Sequence, residues 1–201
     1  MNAAGLILAA GESRRMGFPK ALLQYRGQTF LDTLIGLFAV QCSPVIVVLG
    51  AGAEDIRQRA ARPATFAVNP RWPLGQTTSM QCGLRAVPPN AEGVLFTLVD
   101  HPAVSPETIH ALLAGHRPLV HRPLVHRPLL RVPRFANRRG HPIWFSRELI
   151  PEFLALPETG AARDVVYSHA AETEFLDVDD PGILADIDDP EAYRGLTGAG
   201  L

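Results

Sequence analysis

The sequence has few cysteines and almost no net charge. Its two cysteines, Cys42 and Cys82, form neither a CxxC pair nor another spacing typical of metal ligands. The formal net charge is −1, so no overall basic field favours nucleic acid or an anionic membrane. We therefore expect structural thiols, a reducing compartment and no nucleic-acid partner.

Long apolar runs are also missing. Residues 1–10 are mostly apolar but too short to cross a bilayer, and they lack the basic n-region of a signal peptide. We interpret this stretch as a strand rather than a signal peptide, and expect a cytoplasmic protein without membrane contact. Apolar residues make up 47% of the chain and charged residues 19%, which is typical of a globular enzyme. The length suits one domain over residues 1–201.

Short apolar runs without alternation predict strands buried on both faces, separated by helices. The runs 5–9, 45–49 and 94–99 are these buried strands, and 142–145 and 174–178 are further predicted strands. The predicted helices are 29–40, 53–61, 77–86, 105–114, 147–155, 162–168 and 190–195. This order predicts an α/β fold of three layers, Rossmann-like, with a mostly parallel central sheet. Ligands bind such sheets beyond the carboxyl ends of the strands.

A proline-rich repeat interrupts this order at residues 116–130, where the sequence is HRPLV, HRPLV, HRPLL. A proline at every fifth position excludes a regular helix, and it excludes a central strand as well. The three His-Arg pairs could together bind a metal ion or an anion. Low-complexity runs seldom build a defined site, so we favour a duplicated surface loop.

The segment 8–20, LAAGESRRMGFPK, directly follows the first predicted strand. Its small residues and Gly11 let the backbone approach a ligand and present N–H groups to phosphate oxygens. Arg15 can bind two phosphate oxygens at once, and Lys20 can place a charge beside another. A solvated basic turn would explain the arginines, but not the small residues at the end of a buried strand.

Two other phosphate-binding motifs do not fit. The sequence has no GxxxxGK[ST], which excludes a P-loop NTPase. The segment Gly50-Ala51-Gly52 lacks the third glycine of a dinucleotide fingerprint. We interpret it as a tight turn from strand to helix.

LAAGESRRMGFPK resembles the LAAGxSxRMGxxK signature of the MobA-like NTP transferases, a family that includes the molybdenum cofactor cytidylyltransferases. Four further segments resemble the family in the same order: 69–84 (NP…GQTTSM…GL), 100–102 (DHP), 139–142 (RGHP) and 186–191 (DIDDPE). Together they span nearly the whole chain apart from the repeat. The resemblance implies a nucleotidyltransferase fold and activity.

The resemblance also implies residue roles. Nucleotidyl transfer is an in-line attack on the α-phosphorus of an NTP, in which the protein mainly positions the reactants and neutralises charge. The implied catalytic residues are Arg15, Lys20 and Asp100, and Mg²⁺ would be held by Asp100 with Asp186 and Asp188. The implied nucleotide contacts are Leu8, Ala9, Ala10, Gly11, Ser13, Gly75, Gln76, Thr78 and Ser79, and the implied acceptor contact is His141.

Structural alternatives stay open for some of these positions, because Asp and Ser often cap turns and helices and a lone His is often structural. The alternatives are a turn cap for Asp100, a helix cap for Ser79, a structural hydrogen bond for His141, and a cap by Asp188 or Asp189 on a helix starting at Pro190. The remaining carboxylates of 177–180 and 186–189 are expected to be solvated.

Ala10 bears on the choice of nucleotide. Within the family the LAAG form resembles the enzymes that use CTP, whereas the guanylyltransferases have LAGG; one methyl group discriminates by about 1–3 kcal/mol. The implied reaction transfers CMP from CTP to the terminal phosphate of molybdenum-molybdopterin, releasing pyrophosphate, with transient contact to a molybdenum hydroxylase. The alternatives are a guanylyltransferase using GTP, a cytidylyltransferase with another phosphorylated acceptor, and a delivery protein that binds nucleotide or cofactor without catalysis.

Overall fold

The computed structural model describes residues 2–114 and 127–198. The strands in this part of the chain are β1 (Ala3–Ala9), β2 (Gln24–Tyr25), β3 (Gln28–Thr29), β4 (Cys42–Leu49), β5 (Thr65–Val68), β6 (Gly93–Leu98), β7 (Leu130–Phe135), β8 (Arg138–Arg139), β9 (Ile143–Ser146) and β10 (Thr173–Asp177). The helices are α1 (Phe30–Ala39), α2 (Ala53–Arg59), α3 (Gln76–Leu84), α4 (Pro106–Ala114), α5 (Ile150–Ala155), α6 (Ala162–Ser168) and α7 (Pro190–Thr197).

Eight of these strands form one sheet. Its order is β10-β7-β9-β6-β1-β4-β5, with β8 beside β7, and β1 pairs in parallel with both β4 and β6. Strands β8 and β9 run against the others. The predicted mostly parallel central sheet is therefore confirmed.

Helices cover both faces of this sheet. Ile7 belongs to a hydrophobic cluster with residues of α1 and α4, whereas Leu6 and Leu8 belong to a second cluster with residues of α3 and α5. Neighbouring residues of β1 fall in different clusters because successive side chains of a strand point to opposite faces. The three-layer α/β fold is confirmed. None of the helices in the described parts of the chain has the length and apolar character needed to span a membrane.

Strand β7 was not predicted, because it contains Pro133. Pairing of β7 with β9 involves Leu130 and Arg131 and stops before Pro133, so the missing N–H of the proline breaks no hydrogen bond between these two strands. The other side of β7 pairs with β10 along its length. The short hairpin β2–β3 and the strand β5 were also missed.

Residues 115–126 hold most of the predicted HRPLV loop and lie outside the described residues. The loop was predicted to continue to residue 130, but β7 begins at Leu130. Leu130 is fully buried and pairs with Thr173 and Phe145, which explains why it belongs to the sheet rather than to a surface loop. The predicted end of the loop is corrected accordingly.

The helix caps decide two of the open alternatives. The carboxylate of Asp189 accepts the backbone N–H groups of Glu191 and Ala192, so Asp189 caps α7 and leaves Asp188 available for other contacts. Ser79 lies inside α3, whose N-cap is Gly75, so Ser79 does not cap that helix.

Candidate active site

A pocket of about 540 Å³ opens at the carboxyl ends of β1 and β6. These strands are parallel neighbours, so the residues that follow them meet at one edge of the sheet. Eight of the nine predicted nucleotide contacts line the pocket: Leu8, Ala9, Ala10, Gly11, Ser13, Gly75, Gln76 and Ser79. The predicted catalytic residues Arg15, Lys20 and Asp100 line it as well.

The loop after β1 folds back so that Lys20 returns to the pocket. Ser13 adopts a positive φ of 56°, and its hydroxyl accepts the backbone N–H of Lys20 at 3.0 Å. Gly17 also has a positive φ, 67°, a conformation that glycine adopts without steric cost. Local backbone geometry therefore positions Lys20.

Lys20 bridges two carboxylates. Its Nζ donates to Oδ2 of Asp100 at 2.9 Å and to Oδ1 of Asp188 at 2.6 Å, and only 12% of its side chain is exposed. Burial alone would lower the pKa of Lys20, but the two carboxylates outweigh it and the pKa is raised. Lys20 therefore stays protonated inside the pocket.

Arg15 joins this group at the solvent side. Its Nη2 donates to Oδ2 of Asp188 at 2.6 Å, and 67% of its side chain is exposed. The hydrogen bond from Lys20, aided by the one from Arg15, outweighs partial burial and lowers the pKa of Asp188. The mouth of the pocket thus holds two cations beside one ionised carboxylate, and such cations bind phosphate oxygens well.

A buried network fixes the turn before α3. Nδ2 of Asn69 donates to the hydroxyl oxygens of Thr78 and Ser79, each at 3.0 Å. The Thr78 hydroxyl also lies 2.9 Å from the carbonyl oxygen of Gly75, which has a φ of 113° that favours glycine. Thr78 was predicted to contact the nucleotide, but the pocket wall does not include it. Its hydroxyl is used to hold the turn that brings Gly75 to the pocket.

Three side chains at the same edge are arranged as metal ligands. Asp100, His101 and Asp186 each offer one ligand atom, and these atoms lie within 4.8 Å of one another. Oδ1 of Asp100 is buried without a hydrogen-bond partner among the described residues. Desolvation, followed by the charges of Asp100 and Asp188, raises the pKa of Asp186. A divalent cation would satisfy the buried oxygen and relieve this repulsion, so the residues fit such an ion.

The predicted pair of metal ligands Asp186 and Asp188 is divided between two groups. Asp186 lies with Asp100, whereas both oxygens of Asp188 accept hydrogen bonds from Lys20 and Arg15. As the structure stands, Asp188 anchors the two cations and is not part of the cluster of possible metal ligands found among the described residues.

Residues 5–173 match the family model described as the MobA-like NTP transferase domain. The chain belongs to this family. The resemblance to this family is thereby confirmed, with four of the five segments inside the matched residues, and the pocket at the end of β1 is the candidate active site of a MobA-like transferase.

Several relatives of this transferase have named activities. A Paenarthrobacter nicotinovorans protein, nicotine blue oxidoreductase, is 34% identical over 197 residues, which cover 96% of this chain and 95% of the relative. The molybdenum cofactor cytidylyltransferase of Escherichia coli (strain K12) is 25% identical over 190 residues, covering 94% and 92%. A probable molybdenum cofactor guanylyltransferase of Mycobacterium avium (strain 104) is 36% identical over 116 residues, covering 56% and 57%.

Solved structures agree with the fold. Rv0371c from Mycobacterium tuberculosis H37Rv has a TM-score of 0.82 and 28% identity, with 99% of both chains covered. The complex of Rv0371c with manganese has a TM-score of 0.78 and 27% identity, covering 99% of this chain and 100% of that one. A nucleotidyl transferase from Methanothermobacter thermautotroptrophicus, at 18% identity and a TM-score of 0.79, shares the fold, with 98% of this chain and 96% of that chain covered.

In this MobA-like transferase His141 does not line the pocket, although it was predicted to contact the acceptor. Its ring packs behind His101, with ring centroids 4.9 Å apart, and its Nδ1 is buried without a partner among the described residues. Burial lowers the pKa of His141 to about 4, so the ring is neutral at pH 7. His141 thus lies outside the pocket wall, and its contact with the acceptor stays a prediction.

Three residues of the site were given no role at the sequence level: His101, Asn69 and Trp72. His101 directly follows Asp100, and this adjacency at a strand end was an available signal. Trp72 lines the pocket and packs against Gly50, where an added Cβ would lie 2.6 Å from the Trp72 side chain. No spacing rule in the sequence indicates the contacts of Asn69 or Trp72, since both depend on how α3 packs.

Proposed function

We propose that this transferase moves CMP from CTP to the terminal phosphate of molybdenum-molybdopterin and releases pyrophosphate. The observation that carries the proposal is the convergence of Lys20, Arg15 and Asp100 in one pocket at the end of β1. A triphosphate needs fixed positive charge and a divalent cation at its reacting phosphorus. The similarity to the cytidylyltransferase of E. coli supports this acceptor.

In the proposed reaction an oxygen of the acceptor's terminal phosphate attacks the α-phosphorus of CTP. A new P–O–P linkage forms as the bond to the β-phosphate oxygen breaks, so no protein nucleophile is required. Lys20 and Arg15 exchange Asp188 for phosphate oxygens when the nucleotide binds, and their charges stabilise the negative charge that develops on the leaving pyrophosphate. Backbone N–H groups of the loop after β1 would bind the same phosphates, as the N–H groups of such loops do.

Asp100 and Asp186 would hold the divalent ion, which the family resemblance implies to be Mg²⁺. Such an ion supplies neutralisation of the triphosphate charge. The manganese complex of Rv0371c supports a divalent metal in this fold. The reaction is expected to take place in the cytoplasm, and its product would pass to a molybdenum hydroxylase through a transient contact.

The test measures pyrophosphate release with Mg²⁺ and molybdenum-molybdopterin, and compares CTP, GTP, ATP and UTP. Release with CTP, lost in Asp100→Asn, is the expected result. Release with GTP instead would assign the chain to the guanylyl branch. Nucleotide binding without release, and unchanged by Asp100→Asn, would indicate a delivery protein or a different phosphorylated acceptor, which a screen of sugar and alcohol phosphates would separate.

A second candidate function is a redox reaction on nicotine blue. It is favoured by one observation, the 34% identity over nearly the whole chain to nicotine blue oxidoreductase. The test follows the absorbance of nicotine blue with reduced nicotinamide dinucleotides. Turnover that is insensitive to Lys20→Met would favour this candidate, because a hydride transfer does not need the triphosphate cations.

A further inference from the structure

His101 has an unusual environment for a histidine. Its side chain is 8% exposed, and its Nδ1 is buried without a hydrogen-bond partner among the described residues. Its Nε2 lies 3.8 Å from Oδ1 of Asp100, which is too long for a hydrogen bond. Buried polar groups are nearly always satisfied, so the unpartnered Oδ1 of Asp100, which faces Nε2 of His101 across 3.8 Å, indicates that a partner is missing between these two atoms.

The ring is held in place by its neighbours. It packs against the ring of His141, which in turn lies edge-on to Phe96 in β6 with ring centroids 5.8 Å apart. The backbone N–H of His101 donates to the carbonyl oxygen of Leu98 at 3.4 Å. This packing restricts the movement of the imidazole and keeps it facing Asp100 and Asp186, which lie within 4.8 Å.

We propose that His101 is a nitrogen ligand of the divalent cation held by Asp100 and Asp186, and that it makes the centre bind first-row transition ions more tightly than Mg²⁺. Mg²⁺ prefers oxygen ligands and keeps several waters, whereas imidazole suits transition ions. A centre of two carboxylates and one imidazole binds both classes of ion but favours the second. The role of that ion in nucleotidyl transfer rests on the proposed function; the ligand set does not.

The first measurement uses the unsubstituted chain, freed of metal and loaded with one equivalent of Mn²⁺ as the probe. Electron spin-echo spectroscopy is recorded with natural-abundance and with ¹⁵N-labelled histidine. The expected result is a nitrogen coupling that changes with the isotope and disappears in Asp100→Asn. A bound Mn²⁺ without nitrogen coupling, or a coupling that survives Asp100→Asn, would overturn the proposal, because the ion would then be held by oxygens alone or at another site.

The variant His101→Gln identifies the histidine responsible. Its amide oxygen can replace one ligand, so Mn²⁺ still binds, but the nitrogen coupling disappears and Mn²⁺ affinity falls by about tenfold while Mg²⁺ affinity changes little. His110→Gln, an exposed histidine on α4, and His141→Phe, the ring behind His101, are the matched controls and keep the coupling. Unchanged affinities and coupling in His101→Gln would contradict the assignment.

Failure of this inference and failure of the proposed function give different results. A nitrogen-coupled Mn²⁺ in a chain that releases no pyrophosphate with any NTP leaves the ligand set standing and removes the proposed reaction. Pyrophosphate release in a chain whose Mn²⁺ shows no nitrogen coupling supports the proposed reaction and removes His101 from the ligand set.

Discussion

Lys20 shows how one residue in the site is distinguished from its surroundings. It is the only lysine in the sequence, which otherwise uses arginine for its basic residues. Its ammonium group lies between Oδ2 of Asp100 and Oδ1 of Asp188, at 2.9 and 2.6 Å. A compact ammonium fits between two carboxylates, whereas the larger planar guanidinium group of arginine needs more space.

We therefore expect both Lys20→Met and Lys20→Arg to lower kcat for pyrophosphate release by about 10²–10³-fold, because methionine removes the charge at the transferring phosphate and the larger guanidinium group of arginine cannot hold its charge in the same place. Arg59→Met is the control, since Arg59 pairs with Asp55 on the exposed face of α2, away from the pocket. Single-turnover rates and thermal unfolding curves are the measurements. A Lys20→Met variant with wild-type rate would show that Lys20 is not part of the reaction.

A second expectation concerns Ala10 and the choice between CTP and GTP. Ala10 lines the pocket at the end of β1, so we expect Ala10→Gly to enlarge the space available to the base of the nucleotide. The ratio of kcat/KM for GTP to that for CTP should rise by about tenfold, within the about 1–3 kcal/mol that one methyl group contributes. Ala4→Gly, in β1 and in the same hydrophobic cluster as Ala10 but outside the pocket, is the control and leaves the ratio unchanged.

Helix α3 is the element whose packing sets the far wall of the pocket. It approaches the sheet closely at Gly83, where an added Cβ would meet Leu6 and would lie 2.7 Å from Cγ2 of Val48. Both neighbours are fully buried, so they have no free space to move into. Gly195 in α7 differs, because a Cβ there would meet no atom within 4 Å.

The same substitution should thus have opposite effects in the two helices. Gly83→Ala should lower the free energy of unfolding by about 1–3 kcal/mol through overpacking. Gly195→Ala should raise it by about 0.5–1 kcal/mol, because alanine is the better helix former. Denaturant unfolding of the two variants measures both. An equal change in both would mean that α3 does not pack tightly against β1 and β4.

The helices and strands that were predicted correctly are those with a clear local signal in the sequence. The central strands β1, β4 and β6 are continuous apolar runs, α1 shows a clear helical period, and Ser-Pro-Glu at 105–107 marks the start of α4, so these were found. Strand β7 was missed because Pro133 argues against a strand unless the pairing partners are known. The boundaries of α2 and α7 differ from the prediction by a few residues, as helix ends depend on tertiary contacts.

Burial of histidine affects the stability of the whole molecule. The pKa of His141 falls from 6.5 to about 4 on folding, since burial disfavours the charged ring. Between these two values the unfolded chain binds a proton that the folded chain does not. The stability contribution is therefore full above pH 6.5 and lost as pH falls towards 4, by about 3 kcal/mol. Burial lowers the pKa of His101 as well, which adds to the same slope.

Urea unfolding from pH 7 to pH 4, with a chelator present, should accordingly show a falling free energy of unfolding. His141→Phe should remove a large part of the slope, since phenylalanine fills a similar space and does not titrate. His110→Gln should keep it, because His110 is exposed. A wild-type stability that is independent of pH over this range would contradict the buried, neutral state of His141.

The sequence by itself determined the class of fold and the phosphate-binding character of the loop after β1, whereas most of the pocket wall was implied by the resemblance to the family. Strand periodicity is local, and the loop after β1 positions Lys20 through contacts within a few residues, so both could be predicted from neighbouring residues. Only the tertiary structure decided which carboxylates pair with the cations and which lie together as possible metal ligands. Asp188 pairs with Lys20, Asp186 lies with Asp100 and His101, and Thr78 turns inward to hold its own helix. These contacts join residues up to 168 positions apart, and such distances in space are set by packing of the layers, which no local pattern records.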